Sequence, residues 1–258
     1  QTAGVLREGD RLAYRPQERP EPDVDTACRF LYEDDHLLAV DKPGNLPCHP
    51  AGRFFHHTLW ALLKDDGRAH DIHFVNRLDR ETSGVVLIAK TADAARKCRS
   101  QFVRGTVEKR YLAIVEGFFP DDCRARGWLA SDPDSAIRKK QRFFEHQPEG
   151  SRARRAETDF RRIRASKELT AVEARPRTGR FHQIRATLRS LGYPVVGDKL
   201  YGVDESLFLR FVQNEMTPED RERLRIPRQA LHAEQLTLVH PQTGRPLALK
   251  ADLPAALA

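Results

Sequence analysis

The sequence predicts an α+β fold, and three observations carry that expectation. Its apolar residues fall into short runs, either continuous and β-branched or alternating with period 2, and these pair as hairpins instead of recurring as regular β-α-β units. Its helical segments are short and individually capped by Thr, Pro and Gly. Its 258 residues, 40% of them hydrophobic, are enough for one large core or two modest ones.

Residues 1–28 are polar, with Pro16, Pro20 and Pro22 among charges, and are read as an N-terminal arm or linker ahead of a domain spanning 29–258. Phe30 to Pro43 reads as strand, acidic turn and strand: Asp34-Asp35 supply the turn, and Pro43 ends the second strand. Gly44 to His57 is a loop. Its His49, His56 and His57 lack a compact ligand spacing with a carboxylate, so no metal is expected. Thr58 caps a helix to Lys64, with Leu59, Leu62 and Leu63 on one face.

The stretch from His73 to Lys90 is the one the rest serves. Asp79 sits in a polar loop between Arg77 and Arg80, just ahead of Val85-Val86-Leu87-Ile88-Ala89, which reads as a strand buried on both faces. Ser83-Gly84 is expected to turn the chain into that strand. A carboxylate flanked by arginines on a rigid core suits chemistry on an anionic substrate. Thr91 to Arg104 follows as a helix stopped by Gly105, then Val107 to Gly117 as a strand.

Residues 121–155 show no clear element and carry two basic clusters, Arg138-Lys139-Lys140-Gln141-Arg142 and Arg152-Ala153-Arg154-Arg155, each either a phosphate track or solvated surface. Glu157–Ile163 and Leu169–Arg175 alternate as antiparallel strands. Thr178 to Pro194 is a turn and then a helix closed by Gly192. Asp204 to Arg228 reads as an inserted helical pair, with Thr217-Pro218 opening its second member. Leu231 to Pro241 and Leu247 to Ala251 close the chain as a hairpin about Gly244.

Lys and Arg number 44 against 37 Asp and Glu, a net charge of +7 that suits a polyanion such as nucleic acid. No apolar run approaches the roughly 20 residues a bilayer span requires, so no membrane partner is expected. No signal peptide is expected at the start, and because the chain opens on Gln it is read as a trimmed product. Cys28, Cys48, Cys98 and Cys123 are scattered, as in a cytoplasmic protein with reduced thiols.

Several of these strings resemble the RluA-type RNA pseudouridine synthases. Arg77-Leu78-Asp79 with Thr82-Ser83-Gly84 is similar to that family's leading signature, though Asn76 stands where the family has His. Lys109-Arg110-Tyr111-Leu112-Ala113, Thr178-Gly179-Arg180-Phe181-His182-Gln183-Ile184-Arg185, the Leu191-Gly192-Tyr193-Pro194 stop and Leu231-His232-Ala233 match further family patterns. Val5 to Leu12 is similar to the closing strand of the ribosomal-protein-four-type RNA-binding domain that often precedes such a catalytic domain.

The resemblance implies a mixed, mostly antiparallel central sheet with peripheral helices and a cleft along the sheet. It implies isomerisation of uridine to pseudouridine in structured RNA, rRNA first and tRNA next, by a cytoplasmic monomer needing no cofactor and no metal. Asp79, Tyr111 and Arg185 are then the catalytic set: Asp79 attacks the sugar or removes its neighbouring proton, Tyr111 packs on the base, and Arg185 holds Asp79. Arg77, Arg80, Arg180, His182, Ile184 and Leu231 are the substrate-binding set. Two other readings stay open: an inactive RNA-binding or ribosome-assembly protein, for which Asn76 argues, and a two-carboxylate hydrolase using Asp79 with Glu81.

Overall fold

A computed structural model of the chain describes residues 7, 9–11, 20–68 and 70–257. Most of the 1–28 arm, and with it half of the Val5–Leu12 string, lies outside the described residues. The strands are β1 (Arg29–Glu33), β2 (Leu37–Lys42), β3 (His73–Phe74), β4 (Ser83–Ala89), β5 (Glu108–Glu116), β6 (Asp122–Ser131), β7 (Gln141–Phe144), β8 (Arg154–Ala165), β9 (Leu169–Pro176), β10 (Leu231–Val239) and β11 (Pro246–Lys250). They form one sheet in the order β1-β2-β4-β10-β5-β9-β8-β6-β7, with β11 also on β10 and β3 also on β4. Among the described residues β4 with β10 is the one parallel pair; the others are antiparallel, so the sheet is mixed and mostly antiparallel.

The continuous apolar run in β4 is buried on both faces, and the period-2 alternation divides it. Val85, Leu87 and Ala89 pack with Leu37 and Ala39 of β2 into a core closed by α2 (Ala92–Arg104). Val86 and Ile88 pack with Leu38 and Val40 into a second core closed by α1 (Leu59–Asp66). A third core lies across β5, β9, β8 and β6 under α3 (Gln183–Ser190). The caps predicted from sequence are in place: Thr58 accepts from the Ala61 N–H, Thr91 from the Ala94 N–H, and Gly105 closes α2 in the left-handed region. The insert is the pair α4 (Ser206–Gln213) and α5 (Pro218–Leu224), the latter opened by a Thr217–Asp220 capping box. Among the described residues no helix is long and apolar enough to cross a membrane.

One segment is resolved and one expectation is corrected. Residues 121–155, which show no clear element in the sequence, hold β6 and β7 at one end of the sheet. Their charges are met by neighbouring segments, Arg126 by Asp159 across on β8 and Arg142 by Asp134 in the connection between β6 and β7, so the segment reads as charged loop when its partners are unknown. Ser83-Gly84 is not a turn but the first two residues of β4, paired with His232 and Ala233 of β10. Glycine is needed there for close approach: at φ +115° a Cβ on Gly84 would lie 2.2 Å from the Ala233 carbonyl oxygen. Gly84→Ala is therefore expected to cost about 3 kcal/mol or more in a urea melt, through strain and overpacking together.

Candidate active site

The centre of the site is one guanidinium shared by two carboxylates. Arg185, on the first turn of α3, donates from Nε at 2.6 Å and from Nη2 at 2.8 Å to the two oxygens of Asp198. Its Nη1 donates at 2.8 Å to Asp79 Oδ2. Asp198 is fully buried and also accepts the backbone N–H groups of Leu200 and Tyr201. A bidentate, hydrogen-bonded pair of this kind fixes the guanidinium plane, and with it the direction in which Nη1 points. Burial alone would raise both carboxyls, but the charge of Arg185 outweighs it and holds Asp79 and Asp198 below the usual carboxylate range.

Asp79 keeps 29% of its side chain exposed at a cavity of about 110 Å³, lined also by Arg77, Tyr111, Arg180, His182, Ile184 and Leu231. Tyr111 and Lys109 lie two apart on β5 and so share a face; both line the cavity. Burial, reinforced by the nearby Asp79 charge, pushes the Tyr111 phenol well above its ordinary range, so it stands neutral. Lys109 Nζ donates to the Thr178 carbonyl at 2.9 Å, and burial beside Arg180 pushes its amine down to about 8.

His182 opens α3 in the left-handed region at φ 56°, an uncommon conformation for a residue with a side chain. Its ring does not cap the helix. Instead Nδ1 meets the Tyr201 hydroxyl at 2.9 Å and Nε2 lies 3.8 Å from Asp79 Oδ1. The Tyr201 oxygen also accepts the Gln141 N–H, so the hydroxyl ties the His182 ring to the start of β7. Burial, with Arg185 close by, pushes His182 down to about 4, so the ring is neutral near pH 7.

The loop bearing Asp79 is pinned from several sides. The Arg80 carbonyl accepts from Leu46 N–H at 3.0 Å and from the fully buried Lys42 Nζ at 3.1 Å. Gln229, buried, donates to Thr82 Oγ1. Asn76 lies outside the cavity lining and extends the ladder of β4, its Nδ2 donating to Val85 O at 3.1 Å and its Oδ1 accepting Leu87 N–H at 2.8 Å. Amide chemistry serves that task without titrating.

Among the residues singled out from sequence, the fold turns Arg80 and Glu81, like Asn76, away from the Asp79 cavity. Both line a larger groove of about 1150 Å³ on the other side of the loop, and Glu81 is held by Lys199 at 2.8 Å, so Asp79 and Glu81 do not face a common substrate. That groove exceeds the Asp79 cavity in volume, but the shared guanidinium and the perturbed groups gather in the smaller space. Asp198, Tyr201, Gln229, Lys109 and Lys42 were not singled out. The first two stand in Val196–Gly202 just after the Leu-Gly-x-Pro stop, and Lys109 stands in the Lys-Arg-Tyr string; those positions were the available signals.

A mixed sheet carrying a guanidinium-clamped carboxylate, a neutral tyrosine and apolar walls over one small cavity defines a pseudouridine-synthase-type domain. The solved structure of human RNA pseudouridylate synthase domain containing 1 has this fold, with a TM-score of 0.68 at 23% identity, covering 92% of this chain and 90% of that one. The chain belongs to the RNA pseudouridylate synthase family, whose model matches residues 36–190. The ribosomal large subunit pseudouridine synthase D of Zymomonas mobilis is 32% identical over 250 residues, 93% of this chain and 74% of that protein. The human pseudouridylate synthase RPUSD2 is 34% identical over 197 residues, 76% of this chain and 35% of that protein, so the chain spans about a third of that relative's length.

Two measurements follow from this geometry. Asn76→Ala leaves the Leu87 N–H without its partner and should lower stability in a urea melt by about 1–3 kcal/mol. His182 is depressed to about 4 in the folded chain from an ordinary 6.5. Its stabilising contribution is thus complete above pH 6.5 and lost as pH falls through 4, because the unfolded chain takes up the proton first. His49 and His232 are depressed in the same direction, so His182→Asn should flatten, without abolishing, the fall in Tm over that window.

Proposed function

We propose that this protein isomerises specific uridines in structured RNA to pseudouridine, by breaking the glycosidic bond, turning the uracil over and rejoining it through carbon 5. The observation that carries this reading is the ionised Asp79, aimed by the Arg185–Asp198 pair into a cavity walled by Tyr111, Ile184 and Leu231. A target base in a duplex or stacked loop must leave its stack to reach such a cavity. Arg77, exposed at the rim, is suited to fill the vacated space or hold a phosphate, and Arg180 and His182 line the entry.

Asp79 either attacks the anomeric carbon or removes the neighbouring sugar proton, and both routes need the carboxylate charged, which Arg185 ensures. Oδ2 is occupied by Arg185, while Oδ1 faces the neutral His182 at 3.8 Å and is the oxygen available to the sugar. Tyr111 would pack on the base and assist exchange of the carbon 5 proton. Its raised phenol keeps the proton near neutrality, so any proton removal by Tyr111 must be coupled to its loss to another group. Asn76, engaged with strand backbone, gives no support to the reading as an inactive RNA-binding protein. Large-subunit rRNA is the favoured substrate and tRNA the next, with the protein acting as a cytoplasmic monomer.

The test is release of tritium from RNA labelled at uridine carbon 5, using rRNA and tRNA from cells lacking the gene. Wild type is expected to release tritium from one pool. Asp79→Asn, which still offers Arg185 an oxygen, is expected to bind RNA and release none above background. Binding without release by the wild type would refute the proposal.

A further inference from the structure

The 1150 Å³ groove behind the signature loop is not used by the chemistry above. Near that loop its walls carry Arg53 and Phe54, then Arg80, Lys139 and Phe211. The Arg80 guanidinium lies between two rings, 5.4 Å from Phe54 and 5.0 Å from Phe211. The one carboxylate beside it, Glu81, is already held by Lys199, so the positive charge of Arg80 is only partly met.

Two of the four basic residues from Arg138 to Arg142 are spent internally. Lys140 pairs with Glu205 and Asp132, and Arg142 with Asp134 and Asp132. Lys139 makes no ion pair among the described residues; its Nζ lies 4.1 Å over the ring of Phe208. Phe208 and Phe211 are three apart on α4 and so share a face, which presents one ring to Lys139 and the other to Arg80. Lys139 lines the groove and lies within electrostatic reach of the Asp79 and Arg185 charges. After burial, the charges of Arg185 and Arg80 push its amine down, and Asp79 and Glu81 act on it in the opposite sense.

We propose that this groove carries the RNA strand flanking the target uridine, with Lys139 and Arg80 on its phosphates and α4 as the wall that holds both cations in place. Arg80 in the groove wall directly follows Asp79 in the cavity wall, so the two spaces share one loop, and the strand flanking a uridine held in the cavity extends round that loop to the groove. Its far end is acidic, with Asp23, Asp25, Asp41 and Asp252 against Arg29, and this bounds the track to the stretch nearest the cavity. The inserted helical pair thereby becomes the element that selects among RNA contexts. The inference rests on the pseudouridine synthase reading for the identity of its ligand.

The test is the salt dependence of RNA affinity, measured by binding without turnover. On single-stranded RNA, each phosphate that a cation ceases to neutralise lowers the slope of log K against log salt by about 0.7. Lys139→Gln is expected to lower the slope by that amount on RNA carrying both flanks of the modified uridine, while Arg104→Gln, on an exposed site of α2, leaves it unchanged. On RNA trimmed beside the target, the Lys139→Gln and wild-type slopes should coincide. An unchanged slope for Lys139→Gln on the full RNA would overturn the proposal, as would a difference that persists on the trimmed RNA. Tritium release by the wild type is scored separately, so failure of the groove and failure of the synthase reading are distinguishable.

Discussion

Arg185 is shared between one carboxylate that is wholly buried and one that is not. The Asp198 pair alone would be an expensive structure, since two charges leave water to form it. Its cost is offset by bidentate geometry and by two backbone N–H groups that complete the Asp198 acceptors. What the arrangement secures is direction. With two of its nitrogens committed to Asp198, the guanidinium has Nη1 aimed at Asp79, and a carboxylate that burial would otherwise neutralise stays charged.

That pairing is useful because the rest of the fold brings α3 and the Asp79 loop together. The loop precedes β4, which lies inside the sheet with both faces packed, and Gly84 lets β10 approach closely enough to pair in parallel. The other wall of the cavity comes from β5 and from the Thr178–His182 turn. Gln183 locks that turn: its amide accepts from Thr178 and Arg180 and donates to Glu157 and Thr158. A left-handed His182 is tolerated in so constrained a turn, and its ring is thereby directed at Tyr201 and Asp79 instead of at its own helix.

Two sets of cations in this chain do different work. Many arginines and lysines are neutralised across strands or between loops, as Lys140 and Arg142 are, and contribute to shape more than to binding. A smaller set, Arg77, Arg80, Lys109 and Lys139, faces open space around one loop. The net charge of +7 does not distinguish the two, and position does.

The elements were legible in the sequence where their signals are local. Thr58 and Thr91 cap their helices through contacts three residues away, Gly105 stops a helix through its own φ, period-2 alternation assigned β8 and β9, and a continuous apolar run assigned β4. Asp79, Tyr111, His182 and Arg185 could be named from their strings, with their meeting implied by family resemblance. The strands β6 and β7 were not legible, because their charged faces make sense only beside β8 and the 132–134 turn. Nor were Asp198 as the anchor of Arg185, Asn76 as a strand clamp, or the turning of Arg80 away from the residue it follows. Caps and periodicities are interactions over a few residues and are written in the chain locally. Ion-pair partners, burial and the protonation states they set depend on segments as far apart as Asp79 and Arg185, and tertiary packing alone decides them.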